Sequence, residues 1–145
     1  MPRTMYLWAA DNIIAEYDSG GTLESRYNYD PQPYGNLVSE QLASGQFRQY
    51  HYDAIGSTAT ITGSSQQVLT QARYTAFGEA SNAMSTPWQY VGQVGYYWDE
   101  ELGTYYVRQR HFDSRNGRWT SVDPIGLTGI ANLYLYVSNA PVIYS

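Results

Sequence analysis

Tyr50-His51-Tyr52-Asp53-Ala54-Ile55-Gly56-Ser57-Thr58-Ala59-Thr60-Ile61-Thr62 decides how this chain is read. Aromatic and β-branched residues alternate with polar ones on both sides of an Asp-Ala-Ile-Gly break, so the period is two and the break is a turn. Tyr52 can point inward and cover its neighbour. Asp53, one residue on, faces the turn and accepts backbone N–H bonds, and Gly56 permits the reversal. The stretch therefore reads as one β-hairpin.

The same grammar recurs outward in both directions. Tyr17-Asp18-Ser19-Gly20 and Tyr29-Asp30 with Gly35 precede it, while Trp98-Asp99 with Gly103 and Phe112-Asp113 with Gly117 follow. Tyr74-Thr75-Ala76-Phe77-Gly78 is a degenerate copy. Val68 to Tyr74 carries another period-two run, and helical periodicity is hard to find. Ser19-Gly20-Gly21 and Asn116-Gly117 offer residues at ease with positive φ, so hairpins are predicted at both. One hairpin cannot bury its apolar face, so successive hairpins must stack. The predicted class is all-β, a spiral of stacked antiparallel β-hairpins with unpaired edges at its ends.

Composition agrees and excludes much else. Among 145 residues there are sixteen Tyr, four Trp and three Phe, a content that favours aromatic burial over disorder. All eight basic residues are Arg, and thirteen acids set the net charge at −5, so no cationic field is available for nucleic acid. Arg108, Arg110, Arg115 and Arg118 cluster, but among aromatics and near Asp113, which reads as cross-strand pairing. There is no Cys, hence no disulfide, thiolate metal site or Cys nucleophile. The first ten residues turn polar too soon for a secretory leader, and no apolar run is long enough to insert in a membrane.

Tyr50 to Thr58 resembles the Y-x-Y-D-x-x-G-S-T signature of RHS/YD-repeat proteins, and Tyr74 to Glu79 resembles the Y-x-x-F-G-E segment that follows it. Gly95 to Asp113 is similar to the opening of the family's RHS repeat-associated core domain. Asn116-Gly117-Arg118-Trp119 through Asp123-Pro124-Ile125-Gly126-Leu127, then Asn132 to Val137 and Asn139-Ala140-Pro141, continue it. The resemblance implies YD-repeat hairpins over 1–92 and a core-like segment over 93–145, in one continuous unit. It also implies a β-cocoon that in bacterial toxin systems encloses a C-terminal toxin and in teneurins serves adhesion. An extracellular or cell-surface location follows from the same resemblance.

In self-cleaving members the core resembles an aspartyl protease whose two Asp-Pro-x-Gly motifs lie roughly twenty residues apart. Here the first begins at Asp123, and the second is expected about where the sequence reaches Ser145. Peptide cleavage by carboxylates needs one group to activate water and another to protonate. Asp123 is thus a candidate catalytic residue of an incomplete pair, set against the simpler reading of Asp-Pro as a turn with φ preset.

The remaining candidates are weaker. His51 and His111 stand beside aromatics on strands and read as outer-face residues rather than metal ligands. Asp99-Glu100-Glu101 lacks calcium-loop spacing. Tyr96, Tyr97, Trp98, Tyr105 and Tyr106 could form a carbohydrate strip, but core packing explains them more simply. No cofactor or metal is expected. The expected function is a structural or interaction module whose partner is itself, as oligomer or filament, or the rest of a shell; the alternative is a truncated self-cleaving toxin core.

Overall fold

A computed structural model describes residues 4–32, 34–124, 132–137 and 140. Ile125, Gly126, Leu127, Asn139 and Pro141 of the core-like motifs lie outside them. Seven strands come first: β1 Met5–Ala9, β2 Asn12–Tyr17, β3 Leu23–Tyr29, β4 Leu37–Leu42, β5 Phe47–Tyr52, β6 Thr58–Gly63 and β7 Val68–Gln71. A 3-10 turn at Gly92–Val94 precedes β8 Tyr97–Asp99, β9 Thr104–Val107, β10 Arg110–Asp113 and β11 Arg118–Trp119. The first seven strands form one antiparallel sheet in sequence order, and the last four form a second, ordered β11-β10-β9-β8. The predicted all-β class with stacked antiparallel hairpins is what the chain adopts.

One turn device closes hairpin after hairpin. The Asp53 N–H bonds to Ser57 O at 2.9 Å and the Gly56 N–H to Asp53 O at 3.1 Å, with Gly56 at φ +83°. The pairs Asp18–Thr22 and Thr75–Glu79 repeat this bond at 2.9 Å each, as do Leu42–Gln46 and Gly63–Gln67 at the other end of the sheet. This is the turn followed by a left-handed residue that favours glycine at the fourth position. At Gly63 to Gln67 that position is Gln66, at φ +64°. The carboxylate does what the sequence suggested. Asp53 Oδ1 accepts from the Ile55 and Ser57 N–H groups at 3.0 and 2.8 Å, and Asp18 Oδ1 from Gly20 and Thr22 at 2.8 Å each. These bonds hold the Asp18 carboxyl below its ordinary range. Asp30 departs from the pattern, because its longer loop closes through the Asp30 N–H to Asn36 O at 3.0 Å.

Tyrosine, rather than phenylalanine, precedes the turn for a reason visible only in the packed sheet. The Tyr29 hydroxyl donates to Ile13 O at 2.7 Å, Tyr52 to Leu37 O at 2.6 Å and Tyr74 to Thr58 O at 2.9 Å. Each ring crosses the inner face and satisfies a carbonyl of the preceding hairpin, so the buried hydroxyl keeps a partner. Register shifts at Glu16/Tyr17, Asn28/Tyr29 and His51/Tyr52 place a bulge beside Tyr17, Tyr29 and Tyr52, the three repeat tyrosines that end strands of the large sheet. Bulges raise the local twist and curl the sheet.

The inner face of the large sheet supplies Ile13, Tyr27, Leu37, Tyr50 and Ile61 to one cluster, capped by Trp88. A second cluster of Tyr90, Val91, Tyr105, Phe112 and Tyr136 fills the small sheet. Residues 86–92 bridge the two. Trp88 meets Tyr27 edge-on at 5.3 Å and Tyr97 at 5.1 Å, while Tyr90 stacks with Phe112 at 6.3 Å. No helix among the described residues is long and apolar enough to cross a membrane.

Candidate functional site

The inner face carries two carboxylates, Glu40 buried and Glu16 half-buried, neither singled out by the sequence. Glu40 on β4 is 2% exposed. Its Oε1 accepts from the Ser25 hydroxyl at 2.7 Å; its Oε2 accepts from the Tyr50 hydroxyl at 3.0 Å and from Arg48 Nη1 at 3.4 Å. The Tyr50 hydroxyl, its hydrogen directed at Glu40, accepts from Thr86 Oγ1 at 2.7 Å, and Arg48 Nη1 also donates to Ser85 O at 2.8 Å. The network therefore pins the 85–86 backbone to strands β3, β4 and β5. Burial and the Glu40 charge hold the Tyr50 hydroxyl well above its ordinary range, which keeps the donor protonated.

Glu16 on β2 stands at the seam between the sheets. Its Oε1 accepts from the Tyr27 hydroxyl at 2.8 Å, the Tyr97 hydroxyl of β8 also bonds to it, and Tyr6 OH donates to Tyr97 OH at 3.3 Å. Burial raises the Glu16 carboxyl above its ordinary range; the two hydroxyls pull it down, and Glu40 and Glu24 add to the rise. No ion pair to Glu16 occurs among the described residues. A group raised in the fold contributes its stability below the unfolded value and loses it as pH rises through the folded value. Glu16→Gln is therefore expected to raise the thermal midpoint at about pH 7 and to change it little at about pH 4. Thermal melts of both proteins at the two pH values check this. Beside Glu16 opens a cleft of about 1580 Å3, lined in part by Tyr6, Met84, Pro87, Tyr97 and Tyr105.

Asp123 sits at the far edge of the small sheet. Its Oδ2 accepts from Arg110 Nη1 at 3.0 Å, and its N–H donates to Leu133 O at 3.2 Å. Arg110 Nη2 donates to Ser121 O at 2.8 Å and Leu133 O at 3.1 Å, and its guanidinium lies 4.3 Å over the Trp119 ring. The structure thus brings together Arg110, Asp123 and the 132–135 segment; no second carboxylate appears in this arrangement among the described residues. The Arg cluster divides accordingly. Arg118 lies opposite Asp113 in register, as cross-strand pairing requires, whereas Arg110 pairs with Asp123 and Arg108 lies 3.9 Å over Tyr34.

The other candidates fall apart in space. His51 bonds to Thr62 Oγ1 at 2.9 Å on the outer face of the large sheet, and His111 to Thr104 Oγ1 at 3.1 Å in the small one. Asp99 Oδ1 accepts from the Leu102 N–H at 3.0 Å in its turn. Among the described residues no set of His, Asp or Glu is gathered to hold a metal. The aromatic run is spent on packing. Tyr105 is 1% exposed with its hydroxyl on Gly78 O, Trp98 meets it at 4.9 Å, and Tyr97 packs on Trp88. Sequence reasoning passed over Thr86 to Gly92 entirely. The alternation of Trp88 and Tyr90 between Pro87 and Gly92 was the signal that these two rings point into the interior.

Residues 9–142 match the family model Teneurin YD-shell. The chain belongs to the YD-shell family. With 34% identity over 152 residues it is similar to the tRNA3(Ser)-specific nuclease WapA of Bacillus spizizenii, covering 97% of this chain and 6% of that protein. It is 29% identical to the toxin protein Tse5 of Pseudomonas aeruginosa, over 83% of this chain and 9% of Tse5. The crystal structure of TcdB2-TccC3-Cdc42 superposes with a TM-score of 0.72 at 25% identity, covering 97% of this chain and 7% of that one. This YD-shell chain thus spans less than a tenth of the length of each of these three proteins. The RHS/YD-repeat resemblance is correct, and the fold is that of a shell wall.

Proposed function

We propose that this chain is a wall module of a YD shell whose open sheet edges accept further strands, either from the rest of a longer shell or from a second copy of itself. The observation that carries the proposal is the large sheet. It is a seven-stranded meander, packed on one face, whose two outer strands, β1 and β7, have no further strand paired on their far side among the described residues. An unpaired row of backbone groups is a template for another strand, and neither Met5–Ala9 nor Val68–Gln71 carries a charge to repel one. The contact of Trp88 with Tyr97 joins the two sheets, which supports reading the 1–92 hairpins and the 93–145 core-like segment as one continuous unit. An extracellular or cell-surface setting accords with the toxins among its relatives. Light scattering with electron microscopy of the purified chain tests the edge reading. Ordered oligomers or filaments are expected, and a monomer at all concentrations would overturn pairing with a second copy and leave the rest of a longer shell as the source of the added strands.

A second reading has a specific observation behind it. Asp123 opens the Asp-Pro sequence of the core-like segment, and Arg110 fixes its carboxylate. In this reading Asp123 is one carboxylate of an aspartyl self-cleavage pair and acts only when a second carboxylate is supplied.

A further inference from the structure

We propose that the self-association of this chain is two-fold, through antiparallel pairing of β1 with β1 of a second copy. The proposal rests on the edge-pairing function above and names its partner and geometry. Six antiparallel pairings link β1 to β7, so the two edge strands run in the same direction. A second copy added head to tail, with its packed face on the same side, would therefore bring its β1 parallel to β7. That breaks the antiparallel ladder of the sheet. Rotating the second copy by half a turn about an axis normal to the sheet keeps the packed face on the same side. It reverses the strand direction and sets like edges together, which is the self-complementary contact of a two-fold dimer.

Of the two edges, β1 is the one built for this. All five residues of β1 are exposed, with Met5 at 45%, Tyr6 at 41%, Leu7 at 47% and Trp8 at 42%. Tyr6 and Trp8 face inward, each with an edge contact on the small sheet, to Tyr97 at 5.6 Å and Tyr106 at 6.2 Å. Met5, Leu7 and Ala9 take the opposite face by alternation. A two-fold axis through Leu7 places Leu7 against Leu7, Tyr6 against Trp8 and Met5 against Ala9. Aromatic pairs then fall on one face and aliphatic pairs on the other, and no like charges meet. β7 offers only four residues, of which Val68 alone is a large exposed apolar side chain.

The chain has no Cys, so a single introduced thiol reports its own neighbour. Directly opposite residues of an antiparallel pair have Cα atoms about 4.5–5.5 Å apart, within disulfide range. Under mild oxidation Leu7→Cys is expected to give a covalent dimer in high yield, and Val68→Cys to give at least tenfold less. Light scattering of the unmodified chain is expected to give twice the 16.4 kDa chain mass. Leu7→Lys sets two like charges on the axis and should return the monomer while leaving the circular dichroism unchanged. An unmodified chain that is monomeric throughout overturns edge pairing between copies altogether. Assembly without the Leu7→Cys dimer, or a mass that grows without limit while Leu7→Cys links to Val68→Cys, overturns only the two-fold arrangement.

Discussion

Glu40→Ala is expected to lower the unfolding free energy by about 3–5 kcal/mol, the range for removing one member of a buried charged pair. The effect is large because three donors converge on this carboxylate from three other residues: Ser25, Tyr50 and Arg48. Alanine leaves all three facing a cavity. Arg48 is the worst placed, since its Nε already lacks a hydrogen-bond partner. Glu40→Gln keeps the volume and one acceptor, and Arg48 keeps Ser85 O, so it is expected to cost about 1–2 kcal/mol. Urea denaturation of the three proteins measures both differences, and equal losses for the two variants would show that the carboxylate charge alone holds the network and that the acceptor kept by Gln contributes nothing.

Gly78→Ala is expected to cost about 3 kcal/mol, against about 1–2 kcal/mol for Gly45→Ala. Both glycines sit at the left-handed position of the same turn type, at φ +92° and +84°, so the backbone term is shared. They differ in what an added Cβ would meet. At Gly45 nothing lies within 4 Å, whereas at Gly78 the Tyr90 ring lies 2.6 Å away. Tyr90 is fully buried against Phe112 and Tyr105 with its hydroxyl on Ala76 O, so the ring has nowhere to move. Denaturant melts of both variants check the difference, and equal effects would mean that the Tyr90 packing yields at little cost.

The repeat was legible because it is local. An aromatic, an Asp and a Gly within five residues specify a hairpin through period-two alternation, a carboxylate that caps the turn and a left-handed position, all within hydrogen-bond reach of one another. Asp18, Asp53 and Asp113 behave as their neighbours in sequence dictate. Family membership was legible for the same reason, since its signatures are short linear runs. Asp123 could be named from its motif, but its partner could not, because Arg110 lies thirteen residues away on another strand.

Local grammar, then, gave the all-β class, the hairpins at Gly20-Gly21 and Asn116-Gly117, and the Asp caps. The packed chain alone decided which way Glu16 and Glu40 face, why the repeat tyrosine needs its hydroxyl, and that Trp88 bridges two sheets. It also decided that β1 and β7 end up parallel at opposite edges. Each of these depends on which distant strand lies opposite a given residue. Side-chain direction alternates with every residue, so one bulge reverses it, and bulges arise from pairing between strands rather than from the strand's own composition.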